Sequence, residues 1–297
     1  MRVFVTGATG FVGSAVVQEL LAAGHSVLGL ARSDEGAAAL SATGADVHRG
    51  SIYDIASLQA GAEQADGVIH TAFNHDFSKF RENCETDRGV IQGLGEVLAG
   101  SDRPLLITSG TGLLTPGRLV TEDDDYAAGS DKIPRVASEE AAAAVKAQGV
   151  NVSVIRLPPS VHGDGDHGFV PLLIGVAREK GAAAYIGEGR NRWSAVHRSD
   201  AAKVYRLALE RGVSARYHAV AEDGVPFRKI AEVIGSRLGV PVVYKSPEEA
   251  AAHFGWFAHF AQLDNHASSA LTREWLGWNP TGPGLIEDLD RPAYFGK

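Results

Sequence analysis

The chain has 297 residues, 44% hydrophobic, 22% charged and 7% aromatic, with 28 Lys and Arg against 36 Asp and Glu, a net charge of −8. That length builds one large domain or two modest ones, and the composition excludes a disordered or fibrous chain. The acidic balance, without a basic block, argues against nucleic acid or an anionic membrane as partner, and no apolar run of 18 residues offers a membrane span. Cys84 is the only cysteine, which excludes an intramolecular disulfide and a cysteine-based zinc cage and fits a reducing cytoplasm. A first strand beginning at Arg2 leaves no room for a secretory signal.

The β-branched run 2–6 predicts a strand, and after a Gly-rich turn residues 11–23 predict an apolar helix. Strands follow at 26–31, 45–48, 66–71, 104–109 and 152–156, with helices at 34–43, 54–61, 86–99 and 135–148 between them. Alternating strands and helices imply right-handed crossovers, hence an α/β fold with a doubly wound parallel sheet of order 3-2-1-4-5-6. Beyond residue 157 the pattern loosens. Strands are expected at 193–197 and 216–220, and helices at 169–179, 199–211 and 227–238. The expected division is a nucleotide-binding domain over 1–160, with return strands near 193–220. A smaller substrate lobe takes 161–192 and 221–297.

The turn Thr6-Gly7-Ala8-Thr9-Gly10-Phe11-Val12-Gly13 joins the first strand to the first helix. Gly7 permits the tight turn, Gly10 lets a pyrophosphate approach the backbone, and Gly13 lets helix and strand pack closely. The helix start adds free N–H groups and a positive dipole end. Gly7, Thr9, Gly10, Phe11 and Val12 are therefore the expected pyrophosphate contacts. At the end of the second strand a carboxylate would select a free ribose 2′-hydroxyl, but this chain has Ala31-Arg32-Ser33. Arg32 and Ser33 suit a 2′-phosphate, which favours NADP(H) over NAD(H), and Asp34 is placed to cap the next helix.

These residues resemble the short-chain dehydrogenase/reductase superfamily in its extended, epimerase/dehydratase-like branch. Gly50-Ser51-Ile52 with Asp54 is similar to the segment that passes the adenine. Val68 to Ala72 is similar to the fourth-strand motif lining the cofactor. Arg156-Leu157-Pro158 with Val161-His162-Gly163 is similar to the RPxxVYG stretch, with His for Tyr, and Val196 to Asp200 to the VHVxD segment. The resemblance implies cofactor contacts at Ser51, Ile52, Thr71, Ala72, Phe73, Pro158 and Val161. It also implies homodimers formed through helices 86–99 and 135–148.

The departures concern catalysis. The family's proton-handling Tyr has a Lys four residues on, which binds the nicotinamide ribose and lowers the Tyr pKa. No Y-x-x-x-K occurs here, and the two positions fall on Asp131 and Arg135, or one turn later on Arg135 and Glu139. Gly110 takes the place of the family's strand hydroxyl, and Asp87 that of its helix Asn. This pattern resembles the atypical subgroup, which includes reductases, isomerases and non-catalytic redox sensors. Arg135 is a candidate for the nicotinamide ribose or an anionic substrate, against a surface pair with Glu139.

Ser109 and Thr111, at the end of the fifth strand, are candidates for orienting a substrate carbonyl, Ser109 also for the nicotinamide side. Loop hydrogen bonding is the plainer reading of each. His162 is the best remaining proton-transfer candidate, against a structural loop histidine. The string His162-Gly-Asp164-Gly-Asp166-His167 lacks the ligand pattern of a calcium loop and reads as a Gly/Asp turn, so no metal is expected. The aromatic run Phe254 to Phe260 is expected as lobe core and as a roof for an apolar substrate. The expected activity is NADP(H)-dependent oxidoreduction of a small carbonyl or alcohol. The alternatives are a non-catalytic NADP(H) sensor and an NAD-dependent sugar-nucleotide epimerase or dehydratase.

Overall fold

The computed structural model describes residues 1–296. In chain order the elements are β1 (Arg2–Thr6), α1 (Phe11–Ala22), β2 (Ser26–Ala31), α2 (Asp34–Ala42), β3 (Asp46–Arg49), α3 (Ile55–Glu63), β4 (Gly67–His70), α4 (Phe80–Leu98), β5 (Leu105–Gly110) and β6 (Leu119–Val120). Then come α5 (Ala137–Ala147), β7 (Val152–Leu157), β8 (Ser160–His162), α6 (Phe169–Lys180), β9 (Ala183–Ile186), β10 (Arg192–His197), α7 (Arg198–Arg211), β11 (Arg216–His218) and β12 (Glu222–Pro226). The chain finishes with α8 (Phe227–Leu238), β13 (Val242–Lys245), α9 (Pro247–Phe254), α10 (Ala258–Gln262), β14 (His266–Ala267), α11 (Ala270–Leu276) and α12 (Leu285–Leu289).

The main sheet has seven strands in the order β11-β7-β5-β4-β1-β2-β3, all parallel. This is the expected 3-2-1-4-5-6 order with β11 added at one edge. The pleat explains why β1 is apolar throughout. Val3 and Val5 point into a core shared with α1 and α7, while Phe4 points into one shared with α3, α4 and α5. With both faces covered, a polar residue on either face of a central strand would need a buried partner, so these strands read as unbroken hydrophobic runs.

The lobe has its own core around Trp193, Phe227, Phe254 and Phe257, each at most 4% exposed. Its strands form a three-stranded sheet, β12-β10-β8, and a pair, β13-β9. Of the strands expected to return to the nucleotide-binding sheet, β11 does so and β10 does not. β10 pairs with β8 and β12 and buries Trp193 among the lobe's aromatics. Helix α4 starts at Phe80, six residues before the expected start at 86, because Asn83, Cys84 and Asp87 already form its buried face. No helix among the described residues is long and apolar enough to cross a membrane.

Candidate active site

The glycine turn lies where its spacing implied. Gly7 has φ +69°, and a Cβ there would come within 2.7 Å of the Ala72 nitrogen. A Cβ on Gly13 would lie 2.0 Å from the Gly7 carbonyl oxygen, so α1 can approach β1 only without one. Gly10 caps α1 with no side chain and no acidic residue fills the first turn, so the opening amides of Phe11 and Val12 have no side-chain acceptor. Thr9 is exposed beside them, and Thr71 donates to the Thr6 carbonyl at 2.7 Å, fixing the β4 end against the turn. Such a bare helix start can hold an anion.

At the end of β2, Arg32 is exposed and makes no ion pair among the described residues. Asp34 is drawn away to Arg49 at 2.7 Å. Ser33, not Asp34, caps α2 by accepting from the Gly36 amide at 3.1 Å, which leaves its hydroxyl proton free to donate. Ser51 and Ile52 follow β3 on the same side, Ser51 accepting weakly from Tyr53 N at 3.4 Å and Ile52 half-buried against the core.

A buried polar chain runs under the ends of β1, β4 and β5. Thr6 Oγ1 lies 2.6 Å from His70 Nδ1, and His70 Nε2 lies 2.9 Å from Asp87 Oδ1. Asp87 Oδ2 accepts from Arg135 Nη1 at 2.9 Å and from the Ser138 hydroxyl. Arg135 also donates to the Thr108 carbonyl at 2.9 Å and stacks over the Phe73 ring at 4.2 Å. Burial works against the Asp87 charge, but Arg135 and His70 overcome it and hold its carboxyl at about 2. Arg135 therefore pairs with Asp87 and not with Glu139, correcting the plainer reading of its role.

Ser109 donates to Glu139 at 2.6 Å, and Glu139 is gripped by Arg156 through bonds of 2.9 and 2.7 Å. Burial opposes the Glu139 charge, and Arg156 and Ser109 together hold its carboxyl below the usual range. Thr111 is fully buried and donates to Asn265 at 2.8 Å, which also accepts from Ser194. Both hydroxyl protons are thus committed, that of Ser109 to α5 within the nucleotide-binding domain and that of Thr111 to Asn265 at the joint between sheet and lobe.

His162 is also fully buried, with Nδ1 2.8 Å from Asp288 and no partner for Nε2 among the described residues. Burial lowers its pKa against the pull of Asp288, which favours neutral imidazole. It presents no nitrogen to the solvent side of the crevice. Pro158 is buried and Val161 half-buried at the same strand ends, and Asp131 is exposed. Gly110 has room for more, since a Cβ there would meet only the Leu157 carbonyl oxygen, at 3.6 Å, and the Gly112 nitrogen, at 4.0 Å.

The loop over 163–168 crosses above the glycine turn. Asp166 accepts from Gly168 N at 2.7 Å, an Asx turn that explains the Gly/Asp spacing. Tyr294 donates to Asp166 at 3.1 Å, and Arg291 to Asp164 at 2.8 Å, tying this roof to the C-terminal segment. Sequence reasoning missed two side chains above Phe11. The Arg198 guanidinium lies 5.2 Å from the Phe11 ring, and the His167 ring packs edge-on at 5.7 Å. Arg198 lies inside the Val196 to Asp200 segment read as scaffold, and its departure from the family's apolar residue was the available signal.

Residues 3–91 match the family model described as "NAD dependent epimerase/dehydratase family". An uncharacterized protein, C2A9.02, of Schizosaccharomyces pombe is 51% identical over 99% of this chain and 100% of its own length. A sterol-4-alpha-carboxylate 3-dehydrogenase of Dictyostelium discoideum is 28% identical over 77% of this chain and 74% of its own. Among solved structures, a dTDP-glucose 4,6-dehydratase of Streptomyces venezuelae with NAD and TYD bound aligns over 100% of this chain and 97% of its own, with TM-score 0.79 and 20% identity. The chain belongs to the short-chain dehydrogenase/reductase superfamily, in its epimerase/dehydratase-like branch.

Proposed function

We propose that this protein is an NADP(H)-dependent oxidoreductase acting on a small carbonyl or alcohol. The observation that carries the reading is Arg32, a cation without an ion-pair partner among the described residues at the end of β2, beside an Asp34 already neutralised by Arg49. A 2′-phosphate is the anion that such a place selects. The glycine turn fits the cofactor by the same test, since the space a Cβ on Gly7 or Gly13 would fill is what keeps turn, strand and helix together.

The first-turn amides of α1 would hold the pyrophosphate, with Arg198 adding charge above them. Arg32 and Ser33 would hold the 2′-phosphate. Bound NADPH supplies the hydride. Arg135, locked by Asp87 and the Thr108 carbonyl, still has uncommitted N–H groups for the nicotinamide ribose or a developing oxyanion. A guanidinium does not give up a proton near neutral pH, and Ser109, Thr111 and His162 are buried and engaged. Solvent water therefore supplies the proton.

The test is calorimetric binding of NADPH and NADH to the protein and to Arg32→Ala, with NADPH oxidation followed against a carbonyl panel. The expected result is tighter NADPH binding by about 10- to 100-fold, the worth of a charge-assisted hydrogen bond, lost in Arg32→Ala. Equal or reversed preference would overturn the NADP assignment. The whole-chain likeness to the NAD-bound dehydratase supports a second reading, sugar-nucleotide epimerisation or dehydration with NAD. NAD retained through purification would favour it, and tight NADPH binding without any turnover would favour a sensor.

A further inference from the structure

We infer that an aromatic clamp, Phe77 from the nucleotide-binding domain closing on Trp256 and Phe260 from the lobe, selects a planar aryl carbonyl compound as substrate. The inference rests on the oxidoreductase reading and adds the substrate class. The β4–α4 connection leaves the glycine turn at Ala72 and places Phe73 directly under the Arg135 guanidinium. From there aromatic rings continue outward. Phe73 meets Phe80 at 6.2 Å, Phe80 stacks on Phe77 at 5.4 Å, and Phe77 faces Trp256 at 4.9 Å and the edge of Phe260 at 5.8 Å. Phe169, just beyond the roof loop, closes the side at 6.3 Å from Phe77.

The surface therefore runs from the charged end of the crevice to its rim without a change of chemistry. His75 packs against Phe73 and Phe77, and His259 against Phe260. This is a different object from the lobe core. Phe257 and Trp193 are at most 2% exposed, whereas Trp256, their neighbour, is 56% exposed. An exposed Trp tilted by 30° against a Phe on a different domain offers one wall for a flat apolar ring.

Two short 3-10 turns carry the facing rings, Phe77–Lys79 and Gly255–Phe257. The first lies between the β4 loop and α4, the second between α9 and α10, and Phe257 anchors the second in the lobe core while its neighbour Trp256 is exposed. To admit an aryl group the exposed Trp256 side chain must swing away from Phe77, from one ring contact to two, about 7 Å between the planes.

The experiment uses the intact protein with 2-acetylnaphthalene and 2-butanone. Calorimetry reads ketone binding without turnover, and NADPH oxidation reads kcat and KM. Trp256→Ala is the main variant, because an exposed side chain can be removed without opening a core, and Phe77→Ala is the second. The expected result is a preference for 2-acetylnaphthalene of about tenfold or more in kcat/KM. Trp256→Ala should raise its KM about tenfold and lower kcat/KM for 2-acetylnaphthalene far more than for 2-butanone. Equal use of both ketones, or a variant that loses both alike, would overturn the clamp while leaving the oxidoreductase standing. Binding of 2-acetylnaphthalene that depends on Trp256, with no NADPH oxidation, would keep the clamp and remove the oxidoreductase. Absence of binding by calorimetry together with absence of turnover would overturn the clamp.

Discussion

Replacing Asp87 by Asn tests the buried chain that fixes Arg135. The amide keeps the size of the carboxylate, so packing is preserved. It removes the charge that Arg135 faces at 2.9 Å and turns an NH2 group toward either Arg135 or His70. Asp87 is 4% exposed, and its partners lower its carboxyl from 3.8 to about 2. At 1.36 kcal/mol per pKa unit that displacement corresponds to about 2.5 kcal/mol. Breaking a fully buried pair costs about 3–5 kcal/mol, and Arg135, which reaches the crevice, should recover part of that in water, so the two routes agree. The expected loss is about 2–3 kcal/mol, or about 3–5 °C in Tm at this chain length. The sign with pH follows. A carboxyl whose folded pKa is depressed gives stability that is fully present above 3.8 and is lost as pH falls toward 2. Urea unfolding at pH 7 and at pH 3 measures both, with Asp87→Asn showing the smaller pH dependence. Because Arg135 loses its anchor, NADPH affinity should fall as well. A loss under about 1 kcal/mol, or destabilisation with cofactor affinity intact, would refute the view that this pair positions Arg135.

Gly13→Ala puts a methyl 2.0 Å from the Gly7 carbonyl oxygen. The expected cost is about 1–3 kcal/mol with loss of NADPH binding, read by thermal shift with and without cofactor. Burial pushes Asp166 up to about 6, so ionising it costs the folded roof loop. That loop should therefore weaken as pH rises from about 4 to 6, seen as faster hydrogen exchange over 163–169 once corrected for intrinsic rates, and Asp166→Asn should flatten the profile. Burial also pushes the Cys84 thiol up to about 11. It should react with a disulfide reagent at pH 8 at least about 100-fold more slowly than a free thiol, and at the ordinary rate in denaturant.

How much was legible follows from how local each signal is. The strands of the main sheet are buried on both faces, and the glycine turn states its requirement within eight residues, so both were readable from one sequence. The order gained β11, a strand readable at 216–220 whose pairing with β7 no local signal names. The lobe was read least well, since its sheets depend on pairings such as β10 with β8 and β14 with β6 that loop-like segments do not announce. The site residues divide in the same way. Arg32 depends only on its place after β2. Ser109, Thr111 and His162 depend on what lies opposite them, and Glu139, Asn265 and Asp288 are 30, 154 and 126 residues away. No spacing rule reaches that far.

The catalytic departures make physical sense as a set. The family's Lys serves a Tyr by lowering its pKa. Without the Tyr, a titratable ammonium has no proton to manage, and in the register that puts Arg135 at the Lys position a permanently charged Arg takes its place. A permanent cation under the strand ends then needs a permanent anion, and Asp87 supplies it where the family has Asn. His70 completes the arrangement by occupying the second carboxylate oxygen, which leaves Asp87 no freedom to turn toward solvent. Gly110 is not forced by crowding, since a side chain would fit. Its lack of a hydroxyl agrees with a site where Arg135 meets the oxygen and water brings the proton. Gly110→Ser should accordingly fold normally, and without the Tyr it should leave turnover unchanged. A rise in turnover would show that the strand hydroxyl still has work to do here.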